Sequence, residues 1–130
     1  MKRLLPLIVL VALSTSAMAS EAWNFVYVSR SSDLGVTTGH GMLVRSGSRL
    51  SGSLVGEQDV QFFIDLRVTG QTASAVFGSL ESDDGGTRMQ GTYRQRTMPA
   101  LGGTTCWQTV HLSDGFSSLA LARKAPSCEP

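Results

Sequence analysis

Lysine is nearly missing from this chain of 130 residues: Lys2 and Lys124 are the only two. Lysine and arginine together number 11 against 10 acidic residues. That balance argues against a nucleic-acid binder, whose affinity rests on an excess of cations facing phosphates. Histidine is as scarce, with His40 and His111 alone. Neither stands in an H-E-x-x-H or comparable metal-ligand spacing. No P-loop, dinucleotide fingerprint or G-x-S-x-G nucleophile elbow occurs. No metal, no cofactor and no catalytic set is therefore expected. The one long apolar run, Leu4 to Leu13, is broken by Pro6 and is half the roughly twenty residues that a membrane span needs. After it, the 3.6-residue periodicity of an amphipathic helix is almost absent.

What the N-terminus does contain has the pattern of an export signal. Lys2 and Arg3 form a positive start, the apolar run follows, and Ala17-Met18-Ala19 supplies the small residues of a cleavage site. Residues 1–19 are expected to be removed between Ala19 and Ser20, leaving 20–130 as one domain without a membrane span, periplasmic or secreted. Position 20 is not Cys, so no lipid anchor is expected. Loss of Lys2 and Arg3 leaves nine cations against ten anions. Cys106 and Cys128 are an even pair in an exported chain, and an oxidising compartment turns such a pair into a disulfide. The bridge would enclose about 21 residues and contribute about 3 kcal/mol in the chain-entropy model.

The remaining pattern is β. Val60, Phe62, Ile64, Leu66 and Val68 alternate with Asp59, Gln61, Asp65, Arg67 and Thr69, as on a strand with one dry and one wet face. Similar stretches cover Ala22–Arg30, Val36–Arg45, Ser48–Gly56, Gln71–Glu81, Gly86–Arg96, Thr104–Leu112 and Phe116–Arg123. In Gln71–Glu81 two inward faces compete, Ala73, Ala75 and Phe77 against Val76 and Leu80. Short polar links force consecutive strands to be antiparallel neighbours. The expected fold is all-β, a meander of about eight strands closed into an up-and-down barrel, with a flattened β-sandwich as the alternative. The strand spacing, with Leu50-Ser51-Gly52 and Gly91-Thr92-Tyr93, resembles the small meander barrels of the avidin and lipocalin type. It also resembles periplasmic inhibitors built on eight-stranded barrels. The lipocalin G-x-W signature does not occur, and the likeness assigns no site residue.

Three residue groups are candidates for function. Asp83 and Asp84 lie in a polar turn and are explained by turn chemistry or by insertion into a partner's cleft. Arg88, Arg94 and Arg96 share one parity, so they form a stripe on one strand face, and guanidinium groups suit acidic partner surfaces. Trp23, Phe25 and Trp107 would line a ligand cavity if the barrel held one; otherwise they are core. His40, flanked by Gly39 and Gly41, could accept a close ligand, but a weakly catalytic barrel using His40 or His111 ranks last. The leading expectation is a non-enzymatic domain that binds an envelope protein, as an inhibitor or immunity-type partner of an enzyme or toxin. The alternative is a carrier of a small apolar ligand. N-terminal sequencing of the exported protein should begin at Ser20, and its non-reduced mass should be two hydrogens below the reduced one. An intact Met1 or two free thiols would refute this processing.

Overall fold

Alternation with period two organises the whole structure. The computed structural model describes residues 19–29, 35–81 and 85–128. Eight strands run β1 (Ala19–Ser29), β2 (Val36–Ser46), β3 (Arg49–Gly56), β4 (Gln61–Thr69), β5 (Thr72–Ser79), β6 (Thr87–Ala100), β7 (Gly103–Ser113) and β8 (Ser117–Lys124). One 3-10 turn, Glu57–Asp59, links β3 to β4. Each strand pairs antiparallel with the next, and β8 pairs with β1, so the sheet is a closed up-and-down barrel. The sandwich alternative is excluded, because every strand has two neighbours in one continuous cycle. No helix among the described residues is long and apolar enough to cross a membrane.

The interior is filled by the inward parity of every strand. Phe62, Ile64 and Leu66 of β4 are buried, while Arg67 between the wet positions is exposed. Burial of each such apolar side chain contributes about 1.5–3 kcal/mol. In β5 the contest is settled for Ala73, Ala75 and Phe77, which face in. Leu80 is exposed. Phe62 stacks on Phe77 at 5.1 Å and meets Phe25 edge-on at 5.8 Å, with Tyr27 tilted against both Phe62 and Phe77. These four rings occupy the end of the barrel nearest the β7–β8 link. Such offset and edge contacts are favoured by the ring quadrupoles. Gly70 takes a left-handed φ of 62° in the two-residue link Gly70-Gln71, which a β-carbon would strain.

Several strand boundaries differ from the sequence expectation by one to four residues; β1, for one, starts at Ala19 rather than Ala22. β6 runs on to Ala100 instead of stopping at Arg96, because its pairing with β7 continues from Gln90↔Ser113 to Ala100↔Gly103. Pro99 interrupts the sequence pattern but not the strand, since proline is tolerated where the missing N–H faces no partner strand. Cys106 sits within β7, three residues after its start. It is disulfide-bonded to Cys128, with 5.1 Å between Cα atoms. The Ala125 N–H donates to the Cys106 carbonyl at 2.8 Å, so the tail after β8 folds back onto β7. Arg30, expected at the end of the first strand, lies outside the described residues.

Replacement of Ile64 by alanine should destabilise the barrel by about 2–5 kcal/mol, whereas Arg67→Ala should change stability by less than about 0.5 kcal/mol. Urea unfolding measures both, and equal effects would contradict the assigned faces.

Candidate functional site

The outer face of β4, β5 and β6 gathers the arginines. Register places Arg67 across from Ser74, and Ser74 across from Gln90; one step along, Asp65 faces Val76, and Val76 faces Arg88. On the other side Arg67 lies directly opposite Arg49 of β3. Like charges in direct cross-strand register disfavour the pair. Arg49 escapes by reaching diagonally to Asp65, which accepts from Nε at 2.7 Å and from Nη2 at 3.0 Å. The Asp65 carboxylate holds the Arg49 guanidinium above its ordinary pKa. Asp65 thereby satisfies Arg49, and Arg67 has no ion pair among the described residues. The same holds for Arg88, Arg94 and Arg96.

All three arginines of the expected stripe are exposed and share the outward side of β6, with Gln90 and Thr92 between them. Met89 is buried and Tyr93 packs on the core from the opposite side of the strand, which fixes the parity. Arg88 and Arg96 are about 26 Å apart at strand rise, so the stripe spans much of the barrel's height. An open depression of about 180 Å³ lies between Asp65, Arg67, Ser74, Val76, Arg88 and Gln90. A second, of about 510 Å³, is lined by Gly70, Gln71, Tyr93, Arg94, Gln95 and Arg96. Asp83 and Asp84 lie outside the described residues. The outer side of β1 and β2, across the barrel, exposes Val26, Val28, Val36, Met42 and Val44 among the polar Asn24, Thr38 and His40.

Sequence reasoning did not find two members of this face. Arg67 was read only as a wet strand position, and it joins the stripe through the β4–β5–β6 register. Trp107 was grouped with Trp23 and Phe25 as a cavity residue, and this is corrected. Trp107 has the parity of His111, opposite to that of buried Val110 and Leu112, so it faces out. There it is the register partner of Arg96 on one side and Lys124 on the other. Trp23 and Phe25 do face in, but each is at most 2 % exposed within the packed core. The three aromatics therefore do not converge on one cavity. A strict parity count from Val110 would have revealed the position of Trp107.

The histidines do not meet either. His40 pairs with Asn24, and His111 pairs with Ala120 and Thr92, on strands separated by β1 and β8. The room beside Gly39 and Gly41 faces inward. A β-carbon at Gly39 would fall 2.0 Å from the Val55 carbonyl, and one at Gly41 2.2 Å from that of Ser53. Those glycines serve close strand packing rather than a ligand at His40. No group of three His, Cys, Asp or Glu among the described residues could hold a metal ion. Comparison with family models, curated proteins and solved structures gives no match for this chain.

A second charged cluster closes the lower mouth of the barrel, where β1 begins. Glu21 faces in, buried, and accepts from both Nε and Nη2 of Arg45 and from the Trp23 indole N–H at 3.2 Å. Arg123 stands 3.6 Å from the same carboxylate, donates to Gln108 at 2.6 Å and covers the Trp23 ring at 5.8 Å. Burial by itself pushes the Glu21 carboxyl up. The hydrogen bond and charge of Arg45, the Trp23 indole and the charge of Arg123 outweigh it and hold the group below the usual carboxylate range. Arg45 is raised in return, chiefly by the bond to Glu21.

A carboxylate whose folded pKa lies below its unfolded one stabilises fully above the unfolded value and loses that contribution as pH falls through the folded one. Stability of the wild type should therefore decline as pH drops below about 4.5, and Glu21→Gln should flatten that decline. At neutral pH Glu21→Ala should cost about 2–3 kcal/mol, less than the loss of a fully buried pair because Arg45 reaches water. Chemical denaturation at several pH values reads both effects; an unchanged acid limb in Glu21→Gln would refute the assignment.

Proposed function

We propose that the chain is an exported, non-enzymatic protein-binding domain that blocks an acidic enzyme or toxin of the cell envelope through the arginine face of β4–β6. The observation that carries this reading is the set Arg67, Arg88, Arg94 and Arg96, exposed on one side of the barrel with no ion pair among the described residues. Fold stability does not account for these side chains, because none of them packs or pairs. Arginine offers planar, bidentate donors that match carboxylates on a partner. Trp107 beside Arg96 adds a residue pair of the kind that dominates interface energetics. Unpaired charge of one sign also steers encounter with an oppositely charged surface. The Cys106–Cys128 bridge supports export, since such pairs persist in oxidising compartments.

The test is capture from an envelope extract on immobilised protein beginning at Ser20. Arg94→Glu combined with Arg96→Glu should leave the melting temperature within a few degrees and weaken capture by more than about tenfold. The captured enzyme or toxin should lose activity when the wild-type domain is added and keep it when the double variant is added. Undiminished capture by a folded double variant would refute this face.

A further inference from the structure

Among the stretches where a strand of the closed barrel outruns its neighbour, the end of β6 is the one flanked by the exposed arginines. β5 pairs with β6 only from Phe77↔Thr87 to Thr72↔Thr92, and the last bond on that side runs from the Tyr93 N–H to the Gln71 carbonyl at 2.9 Å. β6 then continues for seven residues with β7 as its sole neighbour. Amides along a strand alternate in direction. The Tyr93 N–H points to the β5 side, so those of Gln95 and Thr97 do as well. The carbonyls of Arg94 and Met98 point the other way, where the Thr109 and Thr105 hydroxyls reach them. Among the described residues no backbone group bonds to Gln95 or Thr97 on the open side. Pro99, next in the same parity, has no N–H and ends the usable edge, a common way of limiting edge pairing.

We infer that the free edge of β6 at Gln95 and Thr97 accepts an extended acidic segment of the partner protein as an added strand. The inference rests on the protein-binding reading above and states how the partner is held. A row of backbone donors and acceptors is complementary to another backbone in extended form, which a lipid headgroup or a free anion does not supply. The side chains beside that row decide the partner's charge. Arg94 and Arg96 project outward from the same segment, exposed and without ion pairs, above the depression lined by Gly70, Gln71 and Tyr93. An added strand sets every second side chain next to them, so alternate acidic residues complete the pairs. A second copy of this chain would bring its own Arg94 and Arg96 against these two, which like-charge repulsion opposes.

Hydrogen exchange on the protein beginning at Ser20 tests this directly. The probe is the synthetic peptide Thr-Glu-Val-Glu-Val-Glu-Thr, with a version N-methylated at alternate amides, its lysine counterpart and phosphatidylglycerol vesicles as comparisons. In the free protein the Gln95 and Thr97 amides should exchange far faster than those of Arg94 and Arg96. The acidic peptide should slow Gln95 and Thr97 by at least about tenfold, and the methylated and lysine peptides should not. Thr97→Pro removes one edge donor without touching the β7 pairing; it should keep the melting temperature and lose the peptide. Lack of protection by the acidic peptide at millimolar concentration overturns the inference. So does protection at these amides in the free protein together with dimer formation in sedimentation, or vesicle binding in its place. An envelope partner lost in the Arg94 and Arg96 double variant but retained by Thr97→Pro overturns strand addition alone and leaves the arginine-face reading standing.

Discussion

Pairing of β1 with β8 is the constraint on which the rest of the molecule depends. Seven of the eight strand contacts join neighbours in sequence, across links short enough to form locally. The eighth brings Asn24–Ser29 against Ala122–Ser117, from opposite ends of the barrel-forming chain. It carries the largest loop-closure cost and so requires reinforcement. It also turns a twisted sheet into an object with an inside. Without it Trp23 and Leu121 would lose the wall that buries them, and both outer strands would expose bonding edges.

The reinforcement lies at the lower end, where the β1–β8 ladder stops at Asn24↔Ala122. Below that point the backbone no longer bridges the seam, and side chains do. Glu21 of β1 draws in Arg45 of β2 and Arg123 of β8, so one carboxylate ties three strands. Next to it the disulfide and the Ala125-to-Cys106 bond return the tail to β7. The arrangement carries two guanidiniums for one buried carboxylate. It holds because both arginines retain some contact with water, at 34 % and 16 % side-chain exposure.

Unequal strand lengths shape the face proposed for binding. β6 has fourteen residues and β5 has eight, so the β6–β7 hairpin overshoots its neighbour. The overshoot leaves an edge open on the β5 side, in a fold whose closure covers most edges. Arginine occupies the outer side of this overhang and recurs on β4, while the outer side of β1 and β2 exposes Val26, Val28, Val36, Met42 and Val44. A barrel selected for solubility alone would spread both signs of charge over its surface. The proposed binding of an acidic partner rests on that separation.

Strand number, order and most faces were legible in the sequence because period-two alternation is a local property: Phe62, Ile64 and Leu66 declare their side without reference to any other strand. The cysteine pairing followed from there being only two. The sequence by itself thus determined the β-meander, the buried face of its clearly alternating strands and the parity of Arg88, Arg94 and Arg96. Tertiary structure alone decided matters that depend on register between strands. It chose the inward side of β5, where small residues left the alternation ambiguous, and carried β6 past Pro99 by pairing it with β7. It set Trp107 outside next to Arg96, brought Arg67 to the stripe through Ser74 and Gln90, and assembled Glu21, Arg45 and Arg123 from three strands. Register is a relation between segments distant in the chain, fixed when the barrel closes and the interior fills, and no single segment contains it.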